Sequence, residues 1–278
     1  MKASASALSA AADVRRAKSR DAWTRRMPLL VALVLLAAWQ VLAQQGMVSR
    51  IFLPAPSRIF TFLGQSLVKG DLLPAIGATL SRMIVGFVIG AIPALLLGWA
   101  MGRARGVRMF FDPVIAALHP VPKIAIFPLL MLVFGIGEGS KVVAIAISTF
   151  FPIVINTYTG TRQINPVYFE VARNYGADRW KTLRRVVFPG SLPTALAGIR
   201  IALNTSFVIA IAVELLASRT GLGVMIWFAW QTLRVEQLYG TLFVTAVIGI
   251  ALNAATAAMS RWLAPWAQPP RERAGARL

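Results

Sequence analysis

Met83-Ile-Val-Gly-Phe-Val-Ile-Gly-Ala-Ile-Pro-Ala-Leu-Leu-Leu-Gly-Trp-Ala-Met-Gly102 is a run of 20 residues without one charged side chain. A helix of roughly 20 apolar residues spans the hydrocarbon core of a bilayer, so this stretch reads as a transmembrane helix. Residues 27–49, 142–161 and 237–260 are also charge-free and at least as long. Two further apolar stretches are each interrupted by one cation, 113–137 by Lys123 and 193–213 by Arg200. The pattern predicts an all-α polytopic membrane protein with six spans, at about 27–45, 77–101, 112–135, 141–161, 193–215 and 239–262.

Composition agrees. Of 278 residues, 57% are hydrophobic and 14% charged, with 29 Lys+Arg against 10 Asp+Glu, a net charge of +19. A soluble domain carries roughly 25% charge, and six spans leave no length for a soluble catalytic domain. With no cysteine and one histidine, His119, thiolate chemistry and multi-histidine metal sites are excluded, and His119 reads as a packed or interfacial residue. The cations cluster in the tail 1–26, residues 102–112, residues 162–192 and the end after 260, which together hold 20 of them. The positive-inside rule then places both termini in the cytoplasm, so the positive charge is an orientation signal and not a nucleic-acid footprint. The first stretch is too long, with too long a leader, for a cleaved signal peptide. Residues 1–26 and 265–278 read as cytoplasmic tails flanking a transmembrane domain at 27–264, the basic N-terminal tail lying near anionic lipid.

Outside the spans, residues 57–68 read as a short interfacial helix with Ser57 as N-cap and Ile59, Phe60, Leu63 and Leu67 on one face. Residues 168–193, Tyr-Phe-Glu-Val-Ala-Arg-Asn-Tyr-Gly-Ala-Asp-Arg-Trp-Lys-Thr-Leu-Arg-Arg-Val-Val-Phe-Pro-Gly-Ser-Leu-Pro, read as two helices with a hinge. Asn165-Pro166 opens the first and Gly176 closes it; Asp178 caps the second, Pro189-Gly190 stops it, and Pro193 starts the fifth span. Glu170 lies where the helix dipole favours an anion, and Ala172 and Gly176 make a small face. Trp180, Leu183 and Val187 share a side of the second helix. Such an amphipathic pair suits a docking element for a cytoplasmic partner, or a helix resting on lipid headgroups.

Glu170-Val-Ala172, Gly176, Phe188-Pro189 and Leu192-Pro193 resemble the EAA loop of bacterial ATP-binding-cassette (ABC) importer permeases, with Val171 in place of an alanine. Residues 120–141 and 150–157 add likeness to the subgroup that imports nitrate, sulfonates, taurine, cyanate, bicarbonate or pyrimidine precursors, over roughly residues 53–262. The resemblance implies a type I (MetI-like) permease of the bacterial inner membrane, pairing with a second copy and fed by an extracytoplasmic solute-binding protein. It implies an ATPase dimer docked on Glu170, Ala172, Gly176, Asp178, Trp180 and Leu183. ATP and magnesium would be bound by that partner, since no Gly-x-x-x-x-Gly-Lys-Ser/Thr loop occurs in this chain. The rival class is an ion- or proton-coupled secondary transporter or channel, for which intramembrane carboxylates are expected; only Glu214 comes near to qualifying.

Charges at depth are costly and mark functional candidates. Lys123, beside Pro122 in a proline-rich stretch, reads either as an attraction for an anion or as a cation binding carbonyls freed by a bend. Asn204 and Glu214 complete the pathway candidates. Arg200, seven residues past Pro193, reads as snorkelling to the cytoplasmic face, and Arg82 has no assigned partner. Gly221 and Gly223 precede an aromatic stretch that reads as an outer gate or as an aromatic belt. Gly86, Gly90, Gly98 and Gly102 make a small-residue face for a neighbouring helix.

Overall fold

The computed structural model describes residues 27–28, 30–46, 49 and 52–267, and the regular structure among them is helical. The expected basic tail 1–26, Arg50 and most of the 265–278 tail lie outside the described residues. The helices are α1 (Leu30–Gln44), α2 (Pro56–Lys69), α3 (Leu72–Arg103), α4 (Arg105–Leu118), α5 (Phe127–Phe134), α6 (Glu138–Arg162), α7 (Pro166–Asn174), α8 (Arg179–Thr182), α9 (Phe188–Ala217), α10 (Leu222–Gln231) and α11 (Val235–Leu263). Four helical runs are long and apolar enough to cross a membrane: α3, α6, α11 and the continuous rod Arg179–Ala217 formed by α8 and α9.

The third apolar stretch is not one helix. Three prolines at 120, 122 and 128 each remove a backbone donor, and the chain leaves helical form between α4 and α5. Helix resumes with Pro128 in the first turn of α5, where its missing N–H costs nothing. The opposite happens at Pro189-Gly190, expected to stop a helix. A π turn over Leu183–Val187 precedes Pro189, and helix continues through Pro193 to Ala217. The wider turn, closed by the Phe188 N–H on the Leu183 carbonyl, relieves the clash a proline ring makes with the preceding turn. Ser57 is not the cap of α2 either. Ala55 holds that position, and Ser57 instead pairs with Gln40 of α1, through both its hydroxyl and its backbone N–H. Of the four residues assigned to one face of α2, Ile59 and Leu63 are buried, whereas Phe60 and Leu67 are exposed.

At the centre, α6 lies between α3 and α9 with backbones almost touching. A Cβ on Gly90 would stand 2.3 Å from the Ala146 carbonyl oxygen, and one on Gly86, Gly98 or Gly102 would strike Ile145, Thr157 or Thr161. On the other flank of the sandwich, Gly160 of α6 faces Thr194 and Gly198 of α9 faces Asn156 and the Pro152 carbonyl. The small-residue face expected on the second span is therefore the seam of the fold.

At one end these helices are joined by an ionic cluster in which Arg82, Lys141 and Glu214 are buried and Glu138 is exposed. Arg82 of α3 makes two parallel bonds to Glu138, at 2.5 and 3.0 Å, and reaches Glu214 of α9 at 2.7 Å. Its remaining hydrogens go to the Thr220 carbonyl and hydroxyl, so all five guanidinium donors are used. Glu214, 1% exposed, also accepts from the Thr79 hydroxyl and the Gly223 N–H, while Leu222 N–H donates to Thr79. Two free N–H groups at the start of α10 are thereby capped by side chains of other helices. Lys141 bonds Glu138 and Ser218.

Two outcomes follow for the purified protein in detergent. Gly90→Leu, which must push α3 off α6, lowers stability by about 3 kcal/mol or more, while Gly77→Ala, in open space, leaves it unchanged or slightly raised. Arg82→Met strands a buried Glu214 and costs about 3–5 kcal/mol, and Arg82→Met with Glu214→Leu recovers much of that loss. Thermal unfolding of each variant checks both.

Candidate functional site

The loop 162–192 folds largely as its local chemistry dictates. Asn165 Oδ1 accepts from the Val167 N–H at 3.0 Å, and Pro166 occupies the first turn of α7. At the other end Gly176 adopts the left-handed conformation, φ +68°, while Ala177 N–H reaches the Ala172 carbonyl at 2.9 Å and Gly176 N–H the Arg173 carbonyl at 3.0 Å. Asp178 Oδ1 then accepts from Lys181 N–H at 2.7 Å and starts α8.

This pair of helices stands off the body. No residue of α7 is buried, and Tyr168, Val171, Tyr175 and Trp180 are exposed, Tyr175 by 85% and Trp180 by 67%. Glu170, Gly176 and Asp178 are open as well, whereas Ala172 and Leu183 are half-buried. Nothing lies within 4 Å of where a Gly176 Cβ would be, so the chain itself leaves the space above this glycine empty. One contact ties α7 to α3, and a second ties the start of α9 to it. The Arg103 guanidinium sits 4.7 Å from the centre of the Phe169 ring, and Trp99 donates to Ser191 Oγ at 3.0 Å beside Phe188. The result is an uncovered patch of apolar and small side chains, rimmed by Arg173, Arg179, Arg184 and Arg185, at the foot of a rod that reaches Glu214.

The intramembrane candidates separate into different roles. Lys123 lies in the α4–α5 break, and its ammonium donates to the carbonyls of His119 and, at 3.5 Å, Leu118, with the Phe151 ring 4.8 Å away. The carbonyl-binding reading is thus realised. The same residue also lines a cavity of about 440 Å³ whose other walls, among them Ile89, Pro93, Ile147 and Phe150, are apolar. Pro122 is exposed in the break, and His119 is exposed with its ring 5.7 Å from that of Phe151. Asn204 is exposed on α9.

Glu214 is engaged by the ionic cluster, at the wall of a cavity of about 610 Å³ that Glu138, Lys141 and Trp227 also line. Gly221 and Gly223 are buried against Glu214, and a Cβ on Gly221 would meet its carboxylate at 2.3 Å. In this conformation their smallness serves close packing over a carboxylate. Sequence reasoning missed Arg82, whose carboxylate partners lie 56 and 132 residues away, and the Asn253 partner of Arg200. Arg200 lies 12 residues into α9, and instead of reaching along its own helix its Nε donates to Asn253 Oδ1 of α11 at 2.9 Å.

Residues 86–268 match the family of binding-protein-dependent transport system inner membrane components. A Bacillus subtilis (strain 168) permease assigned to aliphatic sulfonates transport is 32% identical over 253 residues, covering 91% of this chain and 92% of that protein. The taurine transport system permease of Escherichia coli (strain K12) is 32% identical over 259 residues, covering 91% and 94%. Among solved structures, the inward-facing MetNI methionine ABC transporter aligns with a TM-score of 0.62 at 17% identity, over 70% of this chain and 97% of that one. An all-helical chain built on four long apolar helical runs shares the type I permease fold with it. By the match over its core helices and the likeness along nearly its whole length, the chain belongs to the binding-protein-dependent transport inner membrane component family, the permease subunits of ABC importers.

Proposed function

We propose that two copies of this chain form the pathway of an importer for a small organic anion, driven by a separate ATPase dimer that seats on α7 and α8. The observation that carries the reading is the uncovered surface from Tyr168 to Trp180, held by caps at both helices and by few ties to the body. A nine-residue helix with no buried residue needs an external partner to hide its tyrosines and valines. Lipid headgroups alone would not require the open αL glycine at its end.

In this reading each copy presents Glu170, Ala172, Gly176, Asp178, Trp180 and Leu183 to an ATPase groove, and the cation-rich side is cytoplasmic. The spans are those at 27–45, 77–101, 112–135, 141–161, 193–215 and 239–262, adjusted for the α4–α5 break and the earlier start of α9. ATP and magnesium are held by the ATPase. This chain contributes a rigid element: closure of the ATPase dimer displaces α7 and α8, and the rod Arg179–Ala217 carries the displacement across the membrane. An extracytoplasmic solute-binding protein delivers the solute to the outer face. Relatives named for sulfonates and taurine support an anionic solute, as do the cations Lys123 and Arg200 at depth.

Coexpression with the cognate ATPase and binding protein, followed by copurification and uptake into proteoliposomes, tests the reading. Gly176→Trp meets no other residue of its own chain and still inserts, with strain at its left-handed backbone, yet loses copurification and lowers ATP-driven uptake at least tenfold. Gly176→Asn, which tolerates the left-handed backbone, retains most of both. Uptake that proceeds without ATP, or a Gly176→Trp variant that couples normally, would sink the docking role.

A further inference from the structure

Arg200 is the one cation in the middle of the long rod, and the fold leaves most of it unused. Only its Nε has a partner among the described residues, the Asn253 side chain, and the residue is exposed. The two terminal nitrogens carry four further N–H donors in a fixed plane. No acidic residue lies between 188 and 213 on α9 or between 237 and 260 on α11, so no carboxylate of these two segments is placed to neutralise it. Asn204, one turn further along the same face of α9, is exposed with its amide unpaired. The other intramembrane ions differ: Arg82 has every donor filled, and Lys123 is turned onto carbonyls of its own break.

A guanidinium at this depth is not stable against lipid tails, so the face bearing Arg200 and Asn204 borders protein or water. Asn253 holds the guanidinium by Nε and leaves its two terminal nitrogens without a partner among the described residues. A fork of two such nitrogens takes two oxygens of one oxyanion in parallel bonds, and an adjacent amide adds a third donor. We infer that Arg200, oriented by Asn253 and assisted by Asn204, is the contact for the oxyanion head, a sulfonate or carboxylate, of the solute inside the membrane. The inference rests on the importer reading above and names the group that reads the anion. With two copies, a pair of such forks would face the path, and a head group could pass from one to the other.

Because the chain contains no cysteine, Arg200→Cys places a single thiol in it. In proteoliposomes of the complete importer, uptake of radiolabelled taurine and hexanesulfonate falls at least tenfold in Arg200→Cys. It rises at least threefold after a cationic ethylammonium thiosulfonate reagent and not after the neutral methyl one. Arg200→Lys, which keeps the charge but not the fork, retains at least threefold more uptake than Arg200→Gln, and Arg200→Gln, which can still donate to Asn253, loses uptake while subunit stoichiometry stays at the parental level. A thiol that no water-soluble reagent reaches, equal rescue by the neutral reagent, or a Gln variant within twofold of the parent overturns the assignment. So does loss in both Lys and Gln variants together with a lower yield of assembled complex, which marks a structural role. If the unmutated importer moves neither sulfonate, the anion reading itself falls, and this assignment with it.

Discussion

Everything else in this fold depends on how closely α6 can approach α3 and α9. Inside a bilayer, burying apolar side chains against one another gains little over burying them in lipid, so helices are held by dense packing and backbone proximity. Glycines at 86, 90, 98 and 102 on α3, and at 160 and 198 on the other seam, remove the atoms that would keep these backbones apart. The three-helix slab they create is the platform from which α10 and α11, the α4–α5 break and the cytoplasmic pair all hang.

The two ends of that slab are built in different ways. At the Glu214 end Arg82, Glu138, Glu214, Lys141 and Thr79 lock α3, α6, α9 and the start of α10 into one body, with the donors of Arg82 and both oxygens of Glu214 engaged. At the other end α7 is held by a cation over a ring and by its own caps. Such a distribution concentrates compliance at the end where a partner would push, and keeps the far end of the rod in register with its neighbours.

Much of this was legible in the residues, because the signals were local. Charge-free runs of membrane-spanning length marked α3, α6 and α11, and Asn165, Gly176 and Asp178 marked helix ends whose caps form within a few residues. What escaped was non-local or depended on a compensation invisible in one dimension. Arg82 finds its carboxylates across the bundle, so its pairing could not be read from spacing. Pro189 reads as a stop until a π turn is placed before it, and that misplaced boundary hid how far the helix bearing Arg200 extends. In the third stretch the prolines signalled a bend, but only the geometry distinguishes a bent helix from two helices with a cation on the carbonyls between them.

The π turn over Leu183–Val187 has a further bearing on the rod. Such a turn amounts to one residue beyond the regular helical count, and one residue is worth about 100° of azimuth around the axis. It therefore sets the compass bearing of Trp180 relative to that of Arg200 and Glu214. Annealing it to regular helix would leave the rod nearly its present length but swing its Trp180 end roughly a quarter turn away from any groove it would meet. The bulge acts as the phase setting between the two ends of the helix.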